Sequence, residues 1–308
     1  MTATGQYRGR FAPSPSGPLH FGSLIAAVGS YLEAKANGGA WLLRMEDLDP
    51  PREQAGAADH ILRTLEACGF EWDGPVIYQS RRAEAYEAAL SRLHAAGLLY
   101  PCACTRKEIA DSAVRGIEGP VYPGTCGNGL PPSRQPRAWR VRSDATEITF
   151  IDAVQGQHSQ VLARAIGDFV LKRADGFYAY QLAVVVDDAE QGITHVVRGA
   201  DLLDSTPRQI YLQHLLGLPT PHYTHLPVAT NAAGEKLSKQ TLATPLDASG
   251  LVPALWQALA FLGQAPPAEL SQGDLSSLWQ WASQHWQLAA VPTVRALAAH
   301  ENGMMRGL

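Results

Sequence analysis

The chain has 308 residues, 46% of them apolar and 18% charged, enough for two or three domains and too hydrophobic for a disordered polymer. Its net charge of −4, from 25 Lys and Arg against 29 Asp and Glu, gives no global attraction to a polyanion. Four cysteines cannot staple a fold of this size, residues 1–10 lack the apolar stretch of an export signal, and prolines and glycines interrupt the least charged segment; a reduced, cytoplasmic protein without a membrane anchor is expected.

In chain order, residues 7–11 read as a short strand. Pro13, Pro15, Gly17 and Pro18 force an irregular loop, and Leu24, Val28, Tyr31 and Leu32 then recur at helical spacing until Asn37-Gly38-Gly39 stops the helix. AWLLRMED from Ala40 is a second strand, so the first 47 residues spell a βαβ unit with parallel strands. Asp49 is placed to cap a following helix with Pro50 at its first position. Helices are predicted over 57–68 and 81–96, closed by Gly69 and Gly97.

From Tyr100 to about Ala163 the rhythm breaks. Cysteines, prolines and glycines crowd 101–136, and RAWRVR and EITFID read as strands of an insertion. The α/β alternation resumes with FVLKR, FYAYQLAVVVDD and THVVRG, then a helix after Asp204 that turns Ile210, Leu212, Leu215 and Leu216 to the core. The last 60 residues, with four of the seven tryptophans, read as a small all-helical unit; Trp256, Trp279, Trp281 and Trp286 are expected to pack in its core rather than stack on bases. The predicted fold class is α/β: a Rossmann-like doubly wound parallel sheet in two halves, 1–99 and 164–245, split by an insertion over 100–163 and followed by a helical domain over 246–308.

Between Pro101 and Arg142 seven basic residues face three acidic ones, a local charge of +4 that leaves −8 for the rest of the chain. This stretch is either a solvated charged face or a contact for phosphates. It opens with Cys102-Ala103-Cys104, and Cys126 follows 22 residues after Cys104. Three thiolates in a reducing compartment suggest zinc. On intrinsic chemistry Cys68 or His94 would be a better fourth ligand than a tyrosine, whose phenol ionises near 10.

Two segments carry a nucleotide signal. GRFAPSPSGPLHFGS (Gly9 to Ser23) ends at a helix start, where backbone N–H groups and the helix dipole favour phosphate; His20, Gly22 and Ser23 stand at that entrance. GEKLSKQ (Gly234 to Gln240) places Lys236 and Lys239 around Ser238, cations suited to a triphosphate and a leaving pyrophosphate. Each alone is a common kind of loop. Together, in this order, they resemble the HIGH and KMSKS signatures of class I aminoacyl-tRNA synthetases, as His20-Phe21-Gly22-Ser23 and Lys236-Leu237-Ser238-Lys239-Gln240. RFAPSPSGPLHFGS, RMEDLD from Arg44, YQLAVVVDD from Tyr180 and VVRGADLLDST from Val196 are similar to the catalytic domain of glutamyl-tRNA synthetases over roughly residues 7–245. Only 68 residues follow Gln240, too few for the large helical anticodon-binding portion of a full glutamyl-tRNA synthetase. The shortened layout with a cysteine-bearing insertion resembles the family of glutamyl-queuosine tRNA(Asp) synthetases.

That resemblance implies ATP-dependent activation of L-glutamate to an adenylate, without tRNA, and transfer to queuosine in the anticodon loop of tRNA(Asp), by an enzyme expected to be a monomer. It implies His20, Lys236 and Lys239 as catalytic cations, and His20, Gly22, Ser23, Lys236, Ser238 and Lys239 around ATP with its Mg²⁺. It implies Arg10, Phe11, Ala12, Pro13, Ser14, Glu46, Tyr180 and Arg198 around glutamate. Arginine's planar fork suits the side-chain carboxylate, and Glu46 suits the ammonium. The family's zinc pattern, CxC then YxxxC, falls on Cys102, Cys104, Tyr122 and Cys126, with a longer stretch between Cys104 and Tyr122. Asp47 and Asp49 are read as structural. Two positions depart from the signatures, Ser23 and Gln240, both at motif edges. The competing readings are a truncated glutamyl-tRNA synthetase and a catalytically silent, zinc-stabilised RNA-binding module.

Overall fold

The computed structural model describes residues 6–112, 115–116, 119–231, 234–237 and 250–299. Strand β1 (Arg8–Phe11), helix α1 (Phe21–Ala36) and strand β2 (Ala40–Met45) form the expected βαβ unit, with Arg8 opposite Ala40 and Phe11 opposite Leu43 in a parallel ladder. Helix α1 buries Leu24, Val28 and Leu32 and is closed by Gly38 at φ +60, a left-handed turn that suits glycine. Helix α2 (Ala57–Ala67), strand β3 (Ile77–Tyr78), which pairs parallel with β2, and helix α3 (Ala83–Ala95) complete the first half.

Asp49 is not a side-chain cap. The chain beyond it makes one short 3-10 turn, Pro50–Arg52, and the two prolines have no N–H to donate to a capping carboxylate. The Asp49 carboxylate accepts instead from Arg52 and Arg173. Asp47 does have the structural role expected of it: its carboxylate takes the backbone N–H and the hydroxyl of Ser80.

Strand β4 (Leu99–Cys102) leads into the cysteine-bearing segment. Helix α4 (Arg106–Ser112) and the two-residue strands β5 (Arg115–Gly116) and β6 (Gly119–Pro120) follow, then β7 (Ala138–Val141), antiparallel to β4. Strands β8 (Glu147–Asp152) and β9 (Gly156–Val161) form a hairpin, followed by the short helix α5 (Leu162–Ala165) and strand β10 (Phe169–Lys172). Two pairings cross the sequence-based boundary at 163. β8, expected inside the insertion, reaches β12 through the pair Tyr223–Asp152, whereas β10, expected in the second catalytic half, lies antiparallel on β7. Neither partner is adjacent in sequence, so strand patterning alone could not reveal either.

Helix α6 (Tyr180–Glu190), strand β11 (His195–Gly199), helix α7 (Thr206–Leu216) and strand β12 (His222–Leu226) close the second half, with β11 and β12 parallel. The Thr194 N–H donates to the Arg8 carbonyl and sets β11 beside β1, so the chain winds outward from that junction in both directions. Such a switch point opens a crevice at the carboxyl ends of the strands. One core gathers α1, β2, α2 and the last helices; the other gathers α3, α6 and α7.

Among the described residues 250–299 helices dominate, with one strand at 296–298. Helices α8 (Leu251–Phe261) and α9 (Leu275–His285) follow strand β13 (Val228–Thr230), and strand β14 (Ala296–Ala298) pairs parallel with β13, which corrects the all-helical expectation. The tryptophans pack as expected: the indole N–H of Trp279 donates to the Cys68 carbonyl, that of Trp286 to Glu33 and that of Trp256 to the Pro267 carbonyl, while Trp281 lies partly buried against the same core. Among the described residues no helix is long and apolar enough to cross a membrane.

Candidate active site

A cavity of about 850 Å³ opens where β1 and β11 end. Arg10, Phe11, Ala12, Pro13, Ser14, His20, Gly22, Ser23, Glu46, Tyr180, Arg198 and Lys236 all line it, so every described residue predicted for ATP or glutamate comes to one place. Ser238, Lys239 and Gln240 lie outside the described residues.

One side of the cavity is built on buried charge. Arg10 on β1 donates from Nε and Nη2 to both oxygens of Asp188, at 3.0 and 3.2 Å. Arg44 on β2 donates from Nη2 to Asp188 at 2.8 Å and from Nη1 to Gln191 at 2.6 Å. Asp187 and Asp188 sit in the last turn of α6, where the helix dipole disfavours a carboxylate, and both are buried. Cations offset that cost. Burial alone would raise the pKa of Asp188, but Arg10 and Arg44 hold it below the usual carboxylate range. Asp187 accepts from Gln79, Tyr86 and Arg82. Glu46 stands 3.5 Å from Arg44, and burial pushes its carboxyl up despite the arginines beside it. Across the cavity, Nη1 of Arg198 donates to the Tyr180 hydroxyl at 3.3 Å.

The other side is made of loops. His20 is the N-cap of α1: Nδ1 accepts from the Ser23 N–H at 3.4 Å, and Nε2 lies 3.2 Å from the Ser23 hydroxyl. A Cβ added at Gly22 would stand 3.1 Å from the Leu237 carbonyl oxygen, so the 234–237 loop crosses closely over the start of α1, and any larger residue there would press on that loop. The Leu237 N–H donates to the Ala229 carbonyl, and Lys236 lies 2.5 Å from Asp201. Two segments more than two hundred residues apart thus meet over one helix N-terminus.

The cysteines form a separate cluster. The Sγ atoms of Cys102, Cys104 and Cys126 lie within 4.8 Å of one another. The Tyr122 hydroxyl is 3.4 Å from the Cys102 sulfur and 3.7 Å from that of Cys104, and it accepts the Cys126 backbone N–H at 3.0 Å. Cys68 belongs to the first core, and the His94 ring packs edge-on against Trp139; neither joins the group that intrinsic chemistry favoured them for. Much of the local positive charge is spent internally: Arg140 lies 3.9 Å over the Tyr122 ring, Arg142 stacks on Tyr100, and Arg134 pairs with Glu108 at 2.6 Å. Arg106, Lys107 and Arg137 remain exposed.

Residues behind the cavity received no site role from the sequence: Arg44, Asp188 and Gln191 behind Arg10, and Asp152, Thr206 and His225 behind Arg198. The first group left one signal, two acids ending the apolar run LAVVVDD. In the second, Thr206 ends the motif VVRGADLLDST and Asp152 the strand EITFID, but nothing in the sequence ties either to His225.

Residues 6–252 match the family described as tRNA synthetases class I (E and Q), catalytic domain. The glutamyl-Q tRNA(Asp) synthetase of Chromobacterium violaceum is 65% identical over 286 residues, 93% of this chain and 95% of its own. That of Dechloromonas aromatica is 64% identical over 288 residues, 93% and 96% of the two chains. Among solved structures, the glutamate-tRNA synthetase of Elizabethkingia anophelis shares the fold, with a TM-score of 0.78 at 23% identity over 97% of this chain and 69% of that one. The matched domain and the relatives' identity over nearly their whole length lead to one conclusion: the chain belongs to the class I tRNA synthetases of the E and Q group, a family of ligases, and within it to the glutamyl-Q tRNA(Asp) synthetases.

Proposed function

We propose that the chain joins L-glutamate to ATP and passes the glutamyl group to queuosine in tRNA(Asp). A glutamate carboxylate oxygen attacks the α-phosphorus, pyrophosphate leaves, and glutamyl-adenylate awaits a hydroxyl of the acceptor. Both reactants are anions, so catalysis consists mainly of positioning and of cations aimed at the phosphoryl group. The observation that carries this reading is the single cavity in which Arg10, Glu46, Tyr180 and Arg198 face the helix start bearing His20 and the loop bearing Lys236. Arg10 and Arg198 would take a carboxylate, and Glu46 and Ser14 the ammonium, with the backbone of Phe11, Ala12 and Pro13 beside them. Glutamine would be rejected because its neutral amide leaves a desolvated guanidinium without counter-charge. His20, Gly22, Ser23 and Lys236, continued by Ser238 and Lys239, would hold ATP, whose Mg²⁺ supplies further positive charge to the triphosphate.

Cys102, Cys104 and Cys126 with the Tyr122 hydroxyl would hold a structural zinc. Sulfurs on a zinc tetrahedron stand about 3.8 Å apart for bonds of about 2.3 Å. The 3.5 Å between Cys104 and Cys126 and the 4.8 Å limit for all three fit it after small adjustments. The exposed Arg106, Lys107 and Arg137 give this lobe cations for RNA phosphates, and a splayed anticodon base would enter the cavity.

The test is glutamate-dependent exchange of pyrophosphate into ATP without tRNA, followed by transfer of labelled glutamate to tRNA(Asp) with and without queuosine. Exchange, and labelling of the queuosine-containing tRNA alone, are expected. No exchange above a Lys239→Ala control favours a silent RNA-binding module, and equal labelling of both tRNAs favours a truncated glutamyl-tRNA synthetase.

A further inference from the structure

Arg198 is held from behind by groups outside the cavity lining. Its Nε donates to Nε2 of His225 at 3.0 Å, and its Nη2 donates to the Thr206 hydroxyl at 2.9 Å. On the cavity side Nη1 donates to the Tyr180 hydroxyl, and Nη2 also reaches the Leu202 carbonyl at 3.4 Å. The His225 imidazole, on β12, is fully buried; its Nδ1 lies 2.6 Å from Asp152 at the end of β8, and its backbone N–H donates to the same carboxylate at 3.1 Å. A carboxylate accepts and a guanidinium donates. The one neutral tautomer that bonds both carries its proton on Nδ1 and offers the Nε2 lone pair to Arg198.

We propose that Asp152 and His225 are positioning residues for Arg198: by fixing the ring tautomer they anchor the Nε edge of the guanidinium and aim Nη1 at the substrate carboxylate. This rests on the glutamate pocket proposed above. The ring is faced by Asp152 from β8, Arg198 from β11, Thr206 from α7 and, farther off, the charge of Asp201. Burial holds its pKa down at about 4, with Arg198 pushing the same way and Asp152 opposing, so it stays a neutral acceptor near neutral pH. A protonated ring would set a cation and an N–H against the guanidinium and lose the bond.

The test measures tRNA-free exchange by the wild type, His225→Ala, His225→Gln and Asp152→Asn, varying glutamate and ATP separately, with the thermal midpoint alongside. His225→Ala is expected to raise the glutamate KM about tenfold, the scale of one lost hydrogen bond to a charged group. kcat and the ATP KM should stay within about twofold, the pattern of lost substrate binding. His225→Gln, whose side-chain oxygen accepts from Arg198, should recover most of the affinity, and Asp152→Asn should fall between. A lower thermal midpoint with an unchanged glutamate KM means a purely structural role and overturns the proposal. Exchange by the wild type bears on the parent reading; ring ¹⁵N shifts of the wild-type protein, assigned by their loss in His225→Gln, bear on the tautomer whatever the activity. A protonated Nδ1 with a bare Nε2 supports it, and a protonated Nε2 overturns it.

Discussion

The two sides of the cavity are built on opposite principles. On the strand side Arg10, Arg44 and Arg198 are at most 5% exposed, and each is bonded to groups on other elements. On the loop side Lys236 and Asp201 form an ion pair with 46% and 35% of their side chains exposed, where water and salt screen it. The strand side fixes its cations before any ligand arrives: Asp188 offsets the desolvation cost of Arg10 and Arg44, and neutral acceptors hold Arg198. The loop side keeps a cation whose exposed pairing with Asp201 costs little to exchange for another anion. Fixed geometry suits discrimination between similar small substrates; a displaceable lysine suits charge that develops during a reaction.

That contrast breaks first, and hardest, at Arg44. Arg44→Leu leaves Asp188 with one cation instead of two and Glu46 without its neighbour, and stability should fall by about 3–5 kcal/mol, the cost of breaking a buried pair. Denaturant titration measures it; a loss within the range of an exposed pair would mean the strand side is no more committed than the loop side. Lys236→Ala should leave the folded state intact and lower kcat of the exchange reaction about a hundredfold at unchanged glutamate KM, as for a group acting on developing charge. A change confined to the glutamate KM would move Lys236 to the amino-acid side. The smallest expected effect is in acid. His225 has a pKa of about 4 when folded against an ordinary 6.5, so between those values the unfolded chain binds a proton that the folded chain does not. Stability should therefore rise with pH across that window and be fully present above it, and His225→Gln should flatten the slope by about one proton. His195, also held down to about 4 by burial and by His222, contributes the same sign and remains in the variant. An unaltered slope in His225→Gln would show that the ring already carries its proton when folded.

The parts legible in the sequence are local. The βαβ start, the glycine stop at 38 and the two signature loops each occupy a contiguous run, and the residues named for the cavity lie within such runs. The support behind them is not local. Asp152 reaches His225 only because β8 meets β12 at Tyr223, a pairing between residues about seventy apart that no hydrophobic pattern encodes. Asp187 and Asp188 look like the polar end of an apolar helix, and their burial follows from Arg10, Arg44 and Arg82 arriving from three other segments. For the fourth member of the cysteine cluster, intrinsic chemistry favoured Cys68 or His94; the resemblance to the family indicated Tyr122, and the fold brings that phenol to the thiols.

The antiparallel seat of β10 on β7 has a practical corollary. Tyr100 and Ser143 both bond the Asp168 carboxylate at the foot of β10, and the chain then runs into the helix bearing Tyr180 and Asp188. Excising 100–163 as a cassette, or grafting a foreign lobe in its place, would strip β10 of the neighbour that completes its ladder and unmoor the pocket's own helix. Any chimera made at this locus has to carry β7 and β10 together.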